Sequence, residues 1–397
     1  MTEQTDINLT QDFSLVQGGP LFQLFIRSHL ATDALGWLKR RILFLIVLTW
    51  LPLLILCLLS GQAIGGTAQI SFLYDLEMHI RFLVTLPLLL VTERVVHSRL
   101  KPVVMQFIQR GIITPESRVR FEACIQSALH LRNSLLLEIS LVVLALTLGH
   151  RFFFDQLNLN TSIWYAIGTT SSDLQLSPAG FWLAYISLPV YQFIFLRWLF
   201  RICIWAKFLW SVSRLDLNLV STHPDKAGGL GFLAQSSAAF VPFLLAQGTL
   251  LSAMIAERIL YQGAELMAFK LEIAVYLVFL MSLVLGPLSV FAPKLAQIKR
   301  EGLLNYGSLA SDYVREFDKK WLRDGADSEE SFIGSADIQS LADLNNSFEV
   351  IKSMQLFPFD KQTLIQLTLV ALLPLLPLLL TIISVEDLVK RLIGILL

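Results

Sequence analysis

The sequence predicts an all-α, polytopic membrane helix bundle of about seven transmembrane helices with cytoplasmic amphipathic helices. Three observations predict it. Of 397 residues, 55% are of hydrophobic types and 16% are charged, where a soluble domain carries about a quarter charged residues. The apolar residues gather in runs near the ~20 residues that a helix needs to cross a bilayer. Lys and Arg concentrate on alternate loops between those runs, as the positive-inside rule requires. The formal charge is zero, which offers no electrostatic reason to expect a nucleic-acid partner.

In chain order, residues 1–41 form an expected cytoplasmic N-terminal segment. Its start is polar, with Glu3, Asp6 and Asp12 and no early basic region, unlike a cleaved signal peptide. The stretch "PLFQLFIRSHLATDALGWLKRR" then reads as an interfacial helix with a basic end. Residues 42–292 read as a six-span bundle, with runs at 42–60, 76–96, 134–153, 180–200, 236–256 and 271–292. The fourth run continues as a helix through Trp205 and Trp210, with Trp182 and Trp198 suited to the two interfaces. Residues 293–362 read as a cytoplasmic amphipathic segment. Leu309, Tyr313, Phe317 and Trp321 share a helix face, a polar linker follows, and Ser335 precedes a second helix as its cap. Residues 363–397 hold the last span and a C-terminal tail. Cys57, Cys124 and Cys203 have no disulfide or CxxC spacing and read as free thiols.

With the N-terminus inside, the inner segments hold 24 of the 31 Lys and Arg residues and the outer ones six. This predicts a cytoplasmic N-terminus and an external C-terminus.

Ionisable residues within spans are costly and are functional candidates by default. Glu138 sits one turn inside the third run and must face the bundle. Arg197 and Arg201 lie on one face of the fourth, placed to snorkel or to pair with Glu138. The second run is short of charge-free length: only 82–91 lies between Arg81 and the pair Glu93 and Arg94. Arg81 snorkels, or Glu93 and Arg94 enter the bundle, or the segment lies in a protein-lined cavity. Glu77, His79 and His150 show no metal-ligand spacing, and no cofactor motif is present, so no cofactor or metal is expected. Gly248, Ser252 and Ala256 form a small-residue row that predicts close helix packing. Prolines 87, 189, 242, 287, 374 and 377 interrupt spans.

The loop "STHPDKAGGLGFL" at 221–233 is the most chemically suggestive. Thr222 and Asp225 match a capping box with Pro224 in the first turn, which predicts a helix start. His223 and Asp225 beside Gly228, Gly229 and Gly231 form a candidate cytoplasmic site for an anion or a proton. The glycines are not a phosphate loop, since the Lys and Ser/Thr that should follow are absent. "HPDK" is similar to the triplet of Hsp70 co-chaperone J-domains, but the flanking segments differ from theirs.

Through "HPDKAGGLGFL" at 223–233 and "GSADIQSLADLNNSFEVI" at 334–351, the chain resembles a group of bacterial polytopic membrane proteins. The resemblance implies a bacterial inner (plasma) membrane location and a shared role for the two segments. It brings no activity, substrate or cofactor. Three functions remain open: a channel or transporter for ions or small solutes, a membrane scaffold, sensor or subunit, and a membrane enzyme using His223 and Asp225. The partners expected are the lipid bilayer and either further copies of the chain or other membrane proteins.

Overall fold

The computed structural model describes residues 13–20, 23, 37–65, 70–157, 163–167, 175–323 and 334–381. Most of the expected interfacial helix, the polar linker and the C-terminal tail lie outside these residues. The described chain is all-α apart from one short antiparallel pair, β1 Ala166–Ile167 with β2 Gln175–Leu176. Five helices are long and apolar enough to cross a membrane: α1 (Leu38–Leu59), α5 (Pro178–Ser213), α7 (Val241–Gln262), the stretch Leu266–Arg323, and α11 with its 3₁₀ extension (Lys361–Thr381). A sixth arises if α3 and α4, bent by 45° between Pro115–Arg132 and Leu135–Thr147, count as one span.

The second run forms α2, an unbroken helical stretch of Leu76–Ile80, a π turn at Arg81–Thr85, and Leu86–Gln109. Its charges set it apart from the apolar spans, yet Phe82, Leu86, Leu89 and Val96 are fully buried. The π turn has a local cause. Pro87 has no N–H, so the preceding turn loses its bond and widens. A second π turn, Leu183–Ser187 in α5, precedes Pro189 in the same way. Trp198, expected at an interface, is instead buried in the core, where its indole N–H donates to the Leu89 carbonyl at 2.9 Å.

The sixth run does not end at a loop. α8 (Lys270–Leu285) passes through a 3₁₀ turn at Gly286–Phe291, around Pro287, directly into α9 (Ala292–Asp318). α9 pairs with α10 (Ala336–Lys352): Tyr313 Oη donates to the Asp337 carbonyl at 3.0 Å, and Trp321 Nε1 to its carboxylate at 3.1 Å. Ser335 makes no capping hydrogen bond, so α10 starts without the expected cap. The small-residue row of α7 packs on α11. A Cβ on Gly248 would overlap the Ala371 carbonyl, and Ser252 Oγ donates to the Pro374 carbonyl at 2.7 Å.

Inter-helix segments meet at two ends. At one, Trp164 N donates to Ile70 O at 3.2 Å, Ser177 N to Tyr165 O at 3.1 Å, and Tyr261 Oη to Tyr74 O at 2.8 Å. At the other, Asn218 N donates to Ile112 O at 2.8 Å and Gln355 N to Lys226 O at 2.7 Å. The second end also takes in residues 13–16, all buried although the first twenty residues are polar in composition. Phe13 is fully buried, with its ring 5.2 Å from that of Phe208.

Candidate functional site in the bundle core

α2 carries two buried charge clusters, separated by the 12 residues from Arg81 to Glu93, about 18 Å of helix. The first is built on Glu93, 4% exposed. Its Oε2 pairs with Arg41 from α1. Its Oε1 accepts from Arg201 of α5 at 2.8 Å, with Arg197 at 3.9 Å. Arg197 reaches back to Glu138 on α4 (Leu135–Leu157), Nε to Oε1, at 3.4 Å. Both α5 arginines are buried, which replaces the snorkelling expectation. The reason is that two carboxylates on facing helices offer a partner inside the bundle. Arg94, next to Glu93, points to the exposed side of α2 and joins no ion pair among the described residues.

The second cluster sits at the Tyr74 end. Arg81 pairs with Glu77 one turn earlier, and its guanidinium lies 5.6 Å from the Tyr191 ring. Asp75 caps the start of α2 through Met78 N at 2.9 Å and accepts from Trp164 Nε1 at 2.8 Å. Glu257 on α7 lies within electrostatic reach of Asp75, Glu77 and Arg81, and its buried Oε2 has no hydrogen-bond partner. His79 Nδ1 accepts from Trp50 Nε1 at 2.9 Å. The described residues contain no group of three or more His, Cys, Asp or Glu placed to hold a metal ion. The side chain of His150 lies outside the described residues.

Polar side chains continue inward from this cluster. Thr85 and Thr249 hydroxyls are 3.3 Å apart, and Tyr276 Oη donates to Gln247 Oε1 at 3.1 Å. Gln247 is 1% exposed. α2, α5, α7 and α8 thus enclose polar groups between the two charge clusters.

The 221–233 loop is organised differently from the helix start expected. Asp225 Oδ1 accepts from Ala227 N at 2.9 Å and Gly229 N at 3.1 Å, and Oδ2 accepts from Gly231 N at 2.8 Å. No helix begins at Thr222; the first helical turn is 3₁₀, at Gly231–Leu233, and leads into the short α6 (Ala234–Ala238). The competing acceptor explains this. Asp225 takes the amides of the glycines ahead of it, and positive φ at Gly228 and Gly229 turns those amides inward. Burial alone would raise the Asp225 carboxyl. The N–H groups of Ala227, Gly231 and Gly229, and then His223, outweigh burial and hold it below the ordinary carboxylate range. Both carboxylate oxygens are thereby occupied, and His223 Nδ1 sits 2.8 Å from one of them. The loop also lies beside the end of α10: Gly228 faces Met354, just past the second conspicuous segment, and Gly302 of α9 sits between Ser221 and Ile351, where a Cβ would press on both.

Reading along the chain missed Arg41, Asp75 and Glu257. Arg41 ended a basic triplet that fits a headgroup contact, and Glu257 stood beside Arg258 at a span edge, where charge is ordinary. Only the three-dimensional pairing of α1 and α7 with α2 distinguishes them. Comparisons with protein-family models, with curated proteins and with solved structures find no match for the chain.

Proposed function

We propose that the protein transports protons or small cations across a bacterial inner membrane through a bundle of seven crossings, with its N-terminus in the cytoplasm. The observation that carries the transport reading is Glu257. A carboxylate oxygen that is buried without a partner, beside an Arg81–Glu77 pair, is an acceptor held ready for a proton or cation. Arg81 can exchange Glu77 for Glu257 as that acceptor empties. The polar groups around Gln247 lead inward, and the Glu93 arginines close the opposite end. Seven crossings are supported by the grouping of inter-helix segments at two ends, and the orientation by the 24 Lys and Arg residues on one set of loops.

A second reading, a scaffold or sensor, is favoured by one observation. α9 and α10 carry exposed apolar side chains, among them Leu304 at 68% and Leu309 at 54%. The enzyme reading loses support because both Asp225 oxygens are engaged by backbone amides.

The test is flux into liposomes loaded with a pH-sensitive dye under an imposed potassium diffusion potential. Wild type acidifies the lumen, Glu257→Gln removes the signal, and Glu272→Gln, at an exposed position, leaves it intact. Flux no greater than in protein-free liposomes, or full flux in Glu257→Gln, would sink the proposal.

A further inference from the structure

Residues 13–19 cross one end of the bundle as a strap that the transport reading does not use. Phe13, Ser14, Leu15 and Val16 are all buried. The Phe13 ring packs on Trp205 and Phe208, with centroids 6.3 and 5.2 Å away. Arg132 of α3 holds the Ser14 carbonyl through Nη1. Two glycines then lay the strap close on the charged groups beneath it. Both have positive φ, 124° at Gly18 and 86° at Gly19. A Cβ on Gly18 would overlap the Arg132 guanidinium, and one on Gly19 would lie 3.8 Å from Glu138 Oε2 and 3.9 Å from Arg197 Nη2. The strap thus covers the Glu138–Arg197 ion pair.

One side-chain contact ties the strap to α2. Ser14 Oγ lies 2.9 Å from His97 Nδ1. The same oxygen accepts from Val16 N at 3.1 Å and from Gln17 N at 2.9 Å. Those two amides occupy both hydroxyl lone pairs, so the hydroxyl proton is what reaches His97. Nδ1 is then the acceptor, and the imidazole is neutral with its proton on Nε2. A protonated His97 would present Nδ1–H to an oxygen with no lone pair left to receive it.

The surroundings of His97 favour the neutral ring. Residues 13–20 carry no titratable side chain. On α2 the neighbouring charges are Glu93, Arg94 and Lys101. Glu93 is committed to Arg41 and to Arg201 of α5, and Arg94 is exposed. From α3 comes Arg132, which holds the strap itself. Burial first, and then the Lys101 ammonium, keeps His97 below the ordinary histidine range.

We infer that residues 13–19 are an acid-released strap, latched by neutral His97 over the Glu138–Arg197 pair. Above about pH 6.5, the ordinary histidine value, the latch is intact. As pH falls further, proton uptake by His97 favours the undocked strap by up to about tenfold per pH unit, until the lower docked value is passed. Release opens Arg132, Glu138 and Arg197 to water at that end. The latch does not depend on what the bundle transports.

The experiment is hydrogen–deuterium exchange of the full-length protein in mild detergent, read by mass spectrometry on a peptide containing residues 14–19 and corrected for the intrinsic pH dependence of amide exchange. Between about pH 7.5 and about pH 5, wild type is expected to lose protection in this peptide about tenfold, while peptides of α5 keep theirs. His97→Gln, whose amide oxygen can accept from Ser14 but does not titrate, should hold its protection throughout. Lys101→Met should move the onset of the loss to higher pH. Wild-type protection that is constant with pH, a loss shared equally by α5, or the same loss in His97→Gln would each overturn the inference. If His97→Gln fails to dock the strap even at about pH 7.5, Lys101→Met decides: a raised onset supports the latch, and an unmoved one overturns it.

Discussion

Glu93 accepts arginines from two other helices on separate oxygens, so removing its charge leaves buried cations without compensation. Glu93→Gln is expected to lower stability by about 3–5 kcal/mol, the usual cost of breaking a buried pair from one side. Thermal unfolding in detergent measures it, and an unchanged midpoint would show that the cluster is solvated. Asp225 makes a pH-dependent contribution instead. Its folded carboxyl titrates below the ordinary range. Its stabilisation is therefore complete above the unfolded value of about 4 and disappears as pH falls through the lower folded value. Cleavage of the loop by an acid-active protease should rise only below about pH 4. At neutral pH a neutral-active protease should cut the loop of Asp225→Ala and spare that of the wild type, at a cost on the order of 2 kcal/mol. Cleavage that is already rapid at pH 5 would count against this.

Two of the long helices widen just before a proline, and a third relation, between α7 and α11, depends on the absence of a side chain. A Cβ at Gly248 meets backbone, not a flexible side chain. Gly248→Leu should therefore part the two helices and cost about 1–3 kcal/mol through overpacking. The unfolding midpoint reports this, and a neutral outcome would mean that α11 is free to shift. The apolar runs, the length of α5 and the small-residue row were legible in the sequence because each is a local pattern. The role of α2 was not. Its charges made it look too short to span, since the partners that neutralise Glu93 lie 52 and 108 residues away in the chain. The break expected after residue 292 was equally illegible. Polar residues begin there, and Gly286–Pro287 and Pro293 read as turn signals, yet the chain takes them up in a 3₁₀ turn and the first turn of α9 and stays helical.

The arrangement of the two ends yields a topological expectation. Single cysteines placed at Lys226 and at Gly263, in a background without the native thiols, should react from opposite sides of the membrane. Only the position-263 thiol should react with an impermeant maleimide in intact cells. Labelling of both from one side would refute the seven-crossing arrangement. The candidate site was half legible: Glu138, Arg197 and Arg201 came from the rarity of charge within spans, whereas Glu257 became visible only once α7 was seen against α2. The place of α11 has a consequence for how the molecule is made. It lies along α7, where Leu375 and Leu378 join Ile255, Ala256 and Phe269 in one apolar cluster. During synthesis, the Gly248–Ser252 furrow therefore stays open to lipid until the ribosome has passed residue 378. Assembly of the bundle core accordingly waits for α11, more than 100 residues after α7 has left the ribosome, and a nascent chain stalled before Lys361 presents that furrow to whatever insertase or quality-control protease surveys the membrane.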